Sequence, residues 1–484
     1  MRINMKLSFK IVAVSLALTA LSTSCGEDFL DVNTDPNNPS DATLDLVFPA
    51  GVSSVAFTLG GQWQVLGSLW SQHWTQSTGA NQYAVIDDYN ITESYYDRQY
   101  SELYSGALND LDFVSKKAEE EENWNYYLMA EVMKAYTYQV LVDFYDQVPY
   151  TEALRGSEDP TPVFDDGQLI YDDLIARIDN ALAKDRGTIT STAPGADDLV
   201  FKGDMDSWVK FANTLKLKIF MRQTEARPSV SESGISALFG SGVEFLDVDA
   251  EMSDYIDVED FRNPYFAVQV SPAGVGRGNV DVAASNTLLN TLLASADPRV
   301  DAIFNTPAAG GGHAGLDQGD YTNSSFLTHN NLSQPAIGPA HPVVFISAAE
   351  SKFLQAEAVE RYGVAGDAQA LYEEGIEANF AKHGVTGADA LYAPGEVYEY
   401  GGVASIIFQK WIACANFNSI ESHFERLRTG LPDILTITPN NITGGVFPRR
   451  LPYTSTEIAN NTDNLNAIGG QKSVIQRTWW NPTN

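Results

Sequence analysis

The amino-acid sequence predicts a mainly α-helical fold of packed helix pairs, with long irregular loops and a few short β-strands. The first observation behind this prediction is the recurrence of apolar residues at every third or fourth position in several separate segments. The second is a change in composition between Gly234 and Pro342, where Gly, Pro, Asn and Ser become frequent. A hydrophobic fraction of 44% also distinguishes the chain from disordered sequences.

The clearest helix is predicted from Trp124 to Tyr145. Apolar residues recur there at every fourth position from Leu128 to Phe144, which gives one wide apolar stripe. Asp204 is expected to be the N-cap of another helix, which continues to residue 220. Further helices are predicted at 43–74, 95–120, 170–182 and 403–426.

A tighter helix pair is predicted on either side of Gly363. Its first helix begins at Phe353 and its second follows Asp367. Small residues such as Gly375 and the aromatic Tyr372 match a tetratricopeptide helix-turn-helix unit of about 34 residues. Because small side chains let antiparallel helices approach closely, we expect tetratricopeptide-like packing.

The region at about 234–342 is expected to be a loop-rich insertion within a single domain spanning 43–484. A few short strands are expected in it, such as one from Tyr265 to Val270. Long loops on a rigid scaffold commonly carry binding sites. A partly disordered insertion is the alternative interpretation.

The N-terminus has the features of a secretory signal peptide over residues 1–24. Basic residues up to Lys10 precede an apolar run from Ile11 to Leu21, which small residues follow. As a helix this run would rise roughly 16 Å, which is short of the ~30 Å hydrocarbon core of a bilayer. A signal peptide is therefore favoured over a transmembrane helix.

Cys25 stands directly after the small residues, as in a lipobox. We therefore expect cleavage before Cys25, its acylation, and membrane attachment through this lipid anchor, since each buried CH₂ group adds roughly 0.8 kcal/mol. Residues 25–42, rich in Asn, Asp and Pro, would form a lipid-anchored linker.

The formal net charge of −33 argues against nucleic acid as a partner, because such a protein repels polyanions. It favours a neutral or cationic ligand. The sequence contains no H-E-x-x-H, G-x-S-x-G or Walker A motif, and its six His residues are not at metal-ligand spacing. We therefore predict no catalytic residues, no cofactor and no metal, although Asp317 to Asp320 faintly resembles the start of a calcium loop.

Residues 63–83 hold the densest set of side chains suited to sugar binding. Aromatic rings pack on the C–H face of a sugar, and amides bind its hydroxyl groups. The predicted ligand-binding residues in this segment are Trp74, Gln76, Asn81 and Tyr83. The spacing of Trp63, Trp70 and Trp74 also fits a core stripe on a helix, so that alternative stays open for Trp74.

Three further ligand-binding residues are predicted in the loop-rich region: Tyr265, Arg277 and Tyr321. Arg277 lies between glycines, where its guanidinium group would be presented on a loop able to bind a carboxylate through two hydrogen bonds. A simple surface turn is the alternative for this segment.

Short motifs along nearly the whole mature chain resemble those of one family. Their order and spacing are similar in these segments: Phe29 to Asn37, Asp146 to Leu154, Pro162 to Asp165, Ile170 to Leu174, Gly203-Asp204, Trp208, Phe211 to Leu217, Asp297 to Arg299, Ala349-Glu350, Ala356 to Ala358, Gln409 to Trp411, Arg426 to Pro432 and Trp479-Trp480. On these motifs the chain resembles the SusD/RagB family of nutrient-binding outer-membrane lipoproteins, in its SusD-like_2 branch. The motifs are mainly structural, so we expect Glu357, Arg426 and Arg428 to be partly buried charges that need partners.

The resemblance implies a SusD-like fold and docking on a SusC-like, TonB-dependent outer-membrane transporter. It implies capture of an oligosaccharide, or sometimes a peptide, for that transporter, without catalysis. The acidic residues at 26–31 resemble the export tag of Bacteroidota lipoproteins that reach the extracellular face of the outer membrane. The alternatives are a tetratricopeptide scaffold that binds only protein partners and a surface glycoside hydrolase.

Overall fold

A computed structural model describes residues 42–188, 190–269, 281–322 and 329–481. The chain from Leu44 onward forms one compact, mostly helical unit with short strands, which confirms the predicted fold class. The signal peptide, Cys25 and most of the linker lie outside the described residues, so they stay predictions, as does the assignment of 43–484 to one domain.

The helices are bounded by local signals that the sequence carries. Asn123 caps the central helix through its side-chain oxygen, and Asp204 caps its helix in the same way, as predicted. The helices of the described chain are α1 (Leu44–Gly60), α2 (Gln62–Trp70), α3 (Ala84–Asp87), α4 (Asp97–Glu102), a π-helix (Leu103–Leu108), α5 (Asn109–Glu120), α6 (Trp124–Tyr145), α7 (Gly167–Leu182), α8 (Met205–Arg222), α9 (Pro228–Gly240), α10 (Pro264–Gln269), α11 (Asn286–Ala294), α12 (Val300–Ile303), α13 (Ala348–Tyr362), α14 (Ala368–Lys382), α15 (Asp389–Tyr392), α16 (Val403–Ala413), α17 (Ser419–Thr429), α18 (Ser455–Asn460) and α19 (Thr462–Ala467).

The strands within the described residues are short and form antiparallel pairs. These pairs are β1 (Trp74–Gln76) with β5 (Val282–Ala284), β2 (Val148–Pro149) with β3 (Phe164–Asp165), β4 (Ala250–Met252) with β8 (Val343–Ile346), and β6 (Phe304–Asn305) with β7 (Gln334–Pro335). The pairs β1–β5 and β4–β8 join segments that are far apart in the chain.

Two of the predicted helices are interrupted in the structure. The helix predicted over 43–74 is broken at Gly61 and ends at Trp70, since Gln72 has a left-handed backbone (φ 56°) and Trp74 lies in β1. The helix predicted over 403–426 is likewise interrupted before Ser419, because Asn416 has φ 65°.

The prediction of a strand from Tyr265 to Val270 is wrong, because the described part of this segment forms helix α10. Pro264 occupies the first helical position, where its missing N–H costs nothing. Asn263 accepts the backbone N–H of Phe266 at 3.1 Å, as an N-cap does. These two residues start a helix in a segment whose apolar residues alone fit either structure.

The predicted helix pair α13–α14 packs through Gly375. A Cβ atom at this position would lie 2.6 Å from Cε1 of Phe353, so only glycine lets the two helices approach this closely. The tetratricopeptide-like arrangement therefore rests on a specific ring-on-glycine contact.

A buried network of ion pairs joins helices α6, α8, α13, α16 and α17. Arg222 contacts Asp143 at 3.1 Å and Glu425 at 3.0 Å, and Arg428 contacts Glu357 at 2.7 Å. Each of these arginines is fully buried, so its carboxylate partners compensate for the loss of water. The expectation that Glu357 and Arg428 are buried charges with partners is confirmed.

Candidate functional site

The pairing of β1 with β5 joins the two regions in which ligand-binding residues were predicted. Trp74 is opposite Ala284 and Gln76 is opposite Val282. The ring of Tyr265 lies 5.0 Å from that of Trp74, centroid to centroid. Residues from the early segment and the loop-rich region are therefore neighbours in space.

Trp74 and Tyr265 nevertheless belong to the core. Their side chains are 0% and 1% exposed, and the Trp74 indole N–H donates to Oδ1 of Asn416 at 2.9 Å. Trp63 and Trp70 are also buried, in agreement with the core-stripe alternative. In this structure the ring of Trp74 packs against protein, so it does not present an open surface for a sugar.

Gln76 and Tyr83 are buried as well and hold a turn together. Oε1 of Gln76 accepts the backbone N–H of Tyr83 at 2.7 Å, and its Nε2 donates to the backbone oxygen of Asp281 at 2.8 Å. Asn81 is exposed in the turn between them. It is thus the predicted residue of this segment that solvent reaches.

Tyr321 is half-buried, and its hydroxyl donates to Oδ2 of Asp88 at 2.7 Å. Burial, followed by this hydrogen bond, raises the pKa of Tyr321 to about 12. Arg277 lies outside the described residues, so its predicted role stays a prediction.

A pocket of about 510 Å³, here called the polar pocket, is lined by Asp320, the chain neighbour of Tyr321, but by none of the predicted ligand-binding residues that the structure describes. Three segments of the chain supply its walls: the start of α11, the turn that precedes Tyr321, and the loop that follows α17. It is lined by Asn286, Thr287, Asn290, Asp317, Gln318, Asp320, Thr436, Ile437 and Pro439. Amides, hydroxyls and carboxylates therefore dominate the lining, and the volume is in the range of small-ligand sites.

Gln72 connects two walls of the polar pocket from beneath. Its Oε1 accepts from the hydroxyl of Thr287 at 2.9 Å and from the backbone N–H of Thr436 at 3.1 Å, and its Nε2 donates to the Thr436 carbonyl. Gln72 is fully buried. Such a satisfied buried amide holds the two walls at a fixed separation.

Gly319 allows the turn at 317–320 to press against the loop that follows α17. It has φ 76°, and a Cβ atom there would lie 1.8 Å from Oγ1 of Thr438. Its N–H donates to the Thr75 hydroxyl at 3.1 Å, and its carbonyl accepts from Asn440 at 3.0 Å. A side chain at this position would force these segments apart.

Asp87 lies under the pocket as a buried acid. It accepts hydrogen bonds from the Thr75 hydroxyl at 2.8 Å, from the Gln76 N–H at 2.9 Å, and from the Gln318 amide. Burial raises the pKa of Asp87 to about 6, although these hydrogen bonds oppose the shift. Asp87 thereby orients Gln318, whose side chain lines the pocket.

This arrangement suits recognition of a hydroxyl-rich solute. The amides of Asn286 and Asn290 can donate and accept, whereas the carboxylates of Asp317 and Asp320 accept. Within the part of the chain that the structure describes, no group of three or more His, Cys, Asp or Glu side chains is placed to hold a metal ion. Sequence reasoning missed Asn286, Asn290 and the Thr436–Pro439 segment. The sequence signal for the asparagines is weak, since they are four positions apart among the leucines of a helical apolar run.

Solved structures show the same fold over nearly the whole chain. One is a chitin-binding protein, 23% identical, with a TM-score of 0.78, covering 91% of this chain and 100% of that chain. A SusD homologue from Bacteroides uniformis is 22% identical with a TM-score of 0.78, covering 92% and 100%. A chitin-binding SusD homologue from Flavobacterium johnsoniae is 22% identical with a TM-score of 0.76, covering 91% and 99%.

A search of curated proteins finds no match. The family model SusD-like_2, described as starch-binding and associating with the outer membrane, matches residues 37–454. This match covers most of the chain and agrees with the helical architecture and with the family motifs. The chain therefore belongs to the SusD-like_2 family, as the sequence motifs predicted.

Proposed function

We propose that this protein captures an oligosaccharide at the outer membrane and binds it in the polar pocket without transforming it. The observation that carries the proposal is a pocket of about 510 Å³ with fixed polar walls. Membership of a family described as starch-binding and associating with the outer membrane supports it.

The chemistry of the polar pocket favours an uncharged sugar unit at this position. The amides of Asn286 and Asn290 offer both donors and acceptors to sugar hydroxyls, and Asp317 and Asp320 disfavour an anion at this position. Two of the similar structures are of chitin-binding proteins. Acetamido sugars are therefore the first ligands to test, beside starch fragments.

The residues predicted from sequence take two roles in this proposal. Asn81 and Tyr321 are proposed to contact the ligand, because Asn81 is exposed and Tyr321 directly follows Asp320 of the pocket wall. Trp74, Gln76, Tyr83 and Tyr265 are proposed to support the site from the core. Arg277 keeps its proposed role in ligand binding.

Delivery completes the proposed function. Acylation at Cys25 would hold the protein on the extracellular face, and a SusC-like, TonB-dependent transporter would receive the captured oligosaccharide. Family membership supports this partnership. Co-purification of a large β-barrel protein with the native lipoprotein from outer membranes tests it.

The test of binding is calorimetric titration with chitotriose and maltotriose. Asn290→Ala should weaken binding of the trisaccharide at least tenfold, since it removes an exposed amide of the pocket. Asn466→Ala is the matched control, because Asn466 is also an exposed helical asparagine but lies in α19.

Other outcomes identify the alternatives. Binding of peptides alone would change the ligand class, and binding of no small solute would favour a protein-binding scaffold. Chromatography of the titrated sugars should show no new products. Cleavage products that depend on Asp317 or Asp320 would instead indicate a glycoside hydrolase.

A further inference from the structure

A second pocket of about 510 Å³, here called the arginine pocket, lies where the last turn of α17 meets the loop at 445–449. Its lining consists of Arg426, Leu427, Thr429, Gly430, Gly445, Val446, Phe447 and Arg449. Both charged side chains of this lining are cationic, in a chain whose net charge is −33.

Arg426 lacks the compensation that the buried arginines of the core have. Its Nε is buried and has no hydrogen-bond partner within the described structure, and its guanidinium carbon lies 5.2 Å from the ring centroid of Phe447. Arg428, two residues along, contacts Glu357 at 2.7 Å. The expectation that Arg426 is a partly buried charge is confirmed, but no carboxylate of the described chain lies within ion-pair distance of it.

Arg449 is less buried than Arg426, but it too has no ion-pair partner among the described residues. Its guanidinium donates one long hydrogen bond, 3.4 Å, to the backbone oxygen of Ile475. Burial lowers the pKa of both Arg426 and Arg449. The charge of Asp433 opposes the shift at Arg426, whereas the charge of Arg477 adds to the shift at Arg449. Two cations thus line one cavity, and neither has a carboxylate of the described chain within ion-pair distance, so an anion entering the cavity would gain two guanidinium partners.

The dipole of helix α17 accounts for the position of Arg426 but not for that of Arg449. A cation in the last turn of a helix is favourable, which accounts for Arg426. Arg449 comes from a loop, and Gly430 already caps the helix by donating to the Arg426 carbonyl at 2.9 Å. A second guanidinium in the same cavity therefore needs another explanation.

We propose that the arginine pocket binds an oxyanion, a carboxylate or sulfate group, carried by the captured sugar. Guanidinium groups bind both kinds of oxyanion through paired hydrogen bonds. The acidic body opposes anions at long range, but its field is screened beyond about 8 Å at physiological ionic strength. The capture of a sugar is taken from the proposed function. The charge on that sugar is inferred from the arginine pocket alone.

The same loop contributes to both pockets. Thr436, Ile437 and Pro439 line the polar pocket, and Gly445 to Arg449 line the arginine pocket. Between them, the N–H of Ile442 donates to the Asp88 carbonyl at 3.0 Å. The two pockets are thereby anchored to one framework.

The test is calorimetric titration at physiological ionic strength with trigalacturonate and its neutral methyl ester, and with galactose 6-sulfate and galactose. An anionic sugar should bind at least tenfold more tightly than its neutral counterpart. Arg449→Gln should abolish that preference, and Arg449→Lys should retain part of it. Arg98→Gln, which removes an exposed arginine placed over Phe57, should leave it unchanged.

The two arms identify the oxyanion, since an Arg449-dependent preference in one arm alone assigns the pocket to carboxylate or to sulfate. No preference in either arm, or a preference that survives Arg449→Gln, would overturn the proposal. A neutral sugar that binds through Asn290 would leave the proposed function intact in that case. Conversely, an Arg449-dependent preference that Asn290→Ala does not change would support the arginine pocket independently.

Discussion

The indole N–H of Trp74 donates to Oδ1 of Asn416 at 2.9 Å, and this contact ties the first strand to the break between helices α16 and α17. Asn416 also donates to the carbonyl of Ile303 at 2.7 Å. Its positive φ of 65° is one that asparagine tolerates better than most residues. One buried asparagine thus joins three parts of the chain within the core.

Asn416→Ala should lower the free energy of unfolding by about 2–4 kcal/mol. It leaves the buried indole N–H of Trp74 without a partner, removes one of the two hydrogen bonds that the Ile303 carbonyl accepts, and adds backbone strain at a positive φ. Asn416→Gly removes the same hydrogen bonds without the strain, so it should be about 1 kcal/mol less destabilising than Asn416→Ala. Urea unfolding measures both variants. Equal stability of the two would argue against strain at this position.

Gly375→Ala should destabilise the protein by about 1–3 kcal/mol, because the new methyl group would collide with the ring of Phe353. This loss should outweigh the gain of up to about 1 kcal/mol that alanine brings inside a helix. Gly240→Ala, at the end of α9, is the control, since nothing lies within 4 Å of the place that its new methyl group would occupy. Thermal unfolding that ranks Gly375→Ala above Gly240→Ala in stability would contradict the packing described for α13 and α14.

Asp87 should make the stability depend on pH between about 4 and 6. Its folded-state pKa is raised from 3.8 to about 6, so the folded protein binds the proton more tightly than the unfolded chain. The stability that protonation provides is therefore present below pH 4 and is lost as pH rises to 6, by about 3 kcal/mol in total. In urea unfolding, the free energy of unfolding of Asp87→Asn minus that of the wild type should therefore rise by about 3 kcal/mol between pH 4 and pH 7. A difference between the two proteins that does not change with pH would disprove the shift.

His423 should act in the opposite direction. Burial, with the charges of Arg426 and Arg222, lowers its pKa to about 3, so the unfolded chain takes up the proton first as pH falls below 6.5. The folded protein should then lose about 2–3 kcal/mol between pH 6.5 and 4.5 through this residue. His423→Phe should reduce this loss, while stability at pH 7.5 reports any cost in packing against Trp70. An unchanged acid dependence in the variant would mean that His423 is accessible to protons in the fold.

Much of the helical framework could be predicted because its signals are local. The apolar stripe from Trp124 to Tyr145 predicts helix α6 with the ends that the structure shows. The residue type and position of Asp204 predict the N-cap of α8. The small residue Gly375 predicts close packing of two helices, although the sequence does not show that Phe353 is the residue it contacts.

The candidate site could be predicted less well from local sequence patterns. The spacing of Trp74 fits both a core position and a sugar platform, and only its pairing with Ala284, far along the chain, places it in the core. The polar pocket is assembled from α11, the turn around Gly319 and the loop after α17, whose proximity depends on tertiary packing. Local sequence patterns contain no information on which distant segments will line one cavity.

The most direct measurement of the central claim is a crystal structure of the protein with the trisaccharide that binds most tightly. The account predicts an intact sugar in the polar pocket, with hydrogen bonds to Asn290 and to the side chains of the turn from Asp317 to Asp320. A sugar bound away from these walls, or cleaved within them, would contradict it.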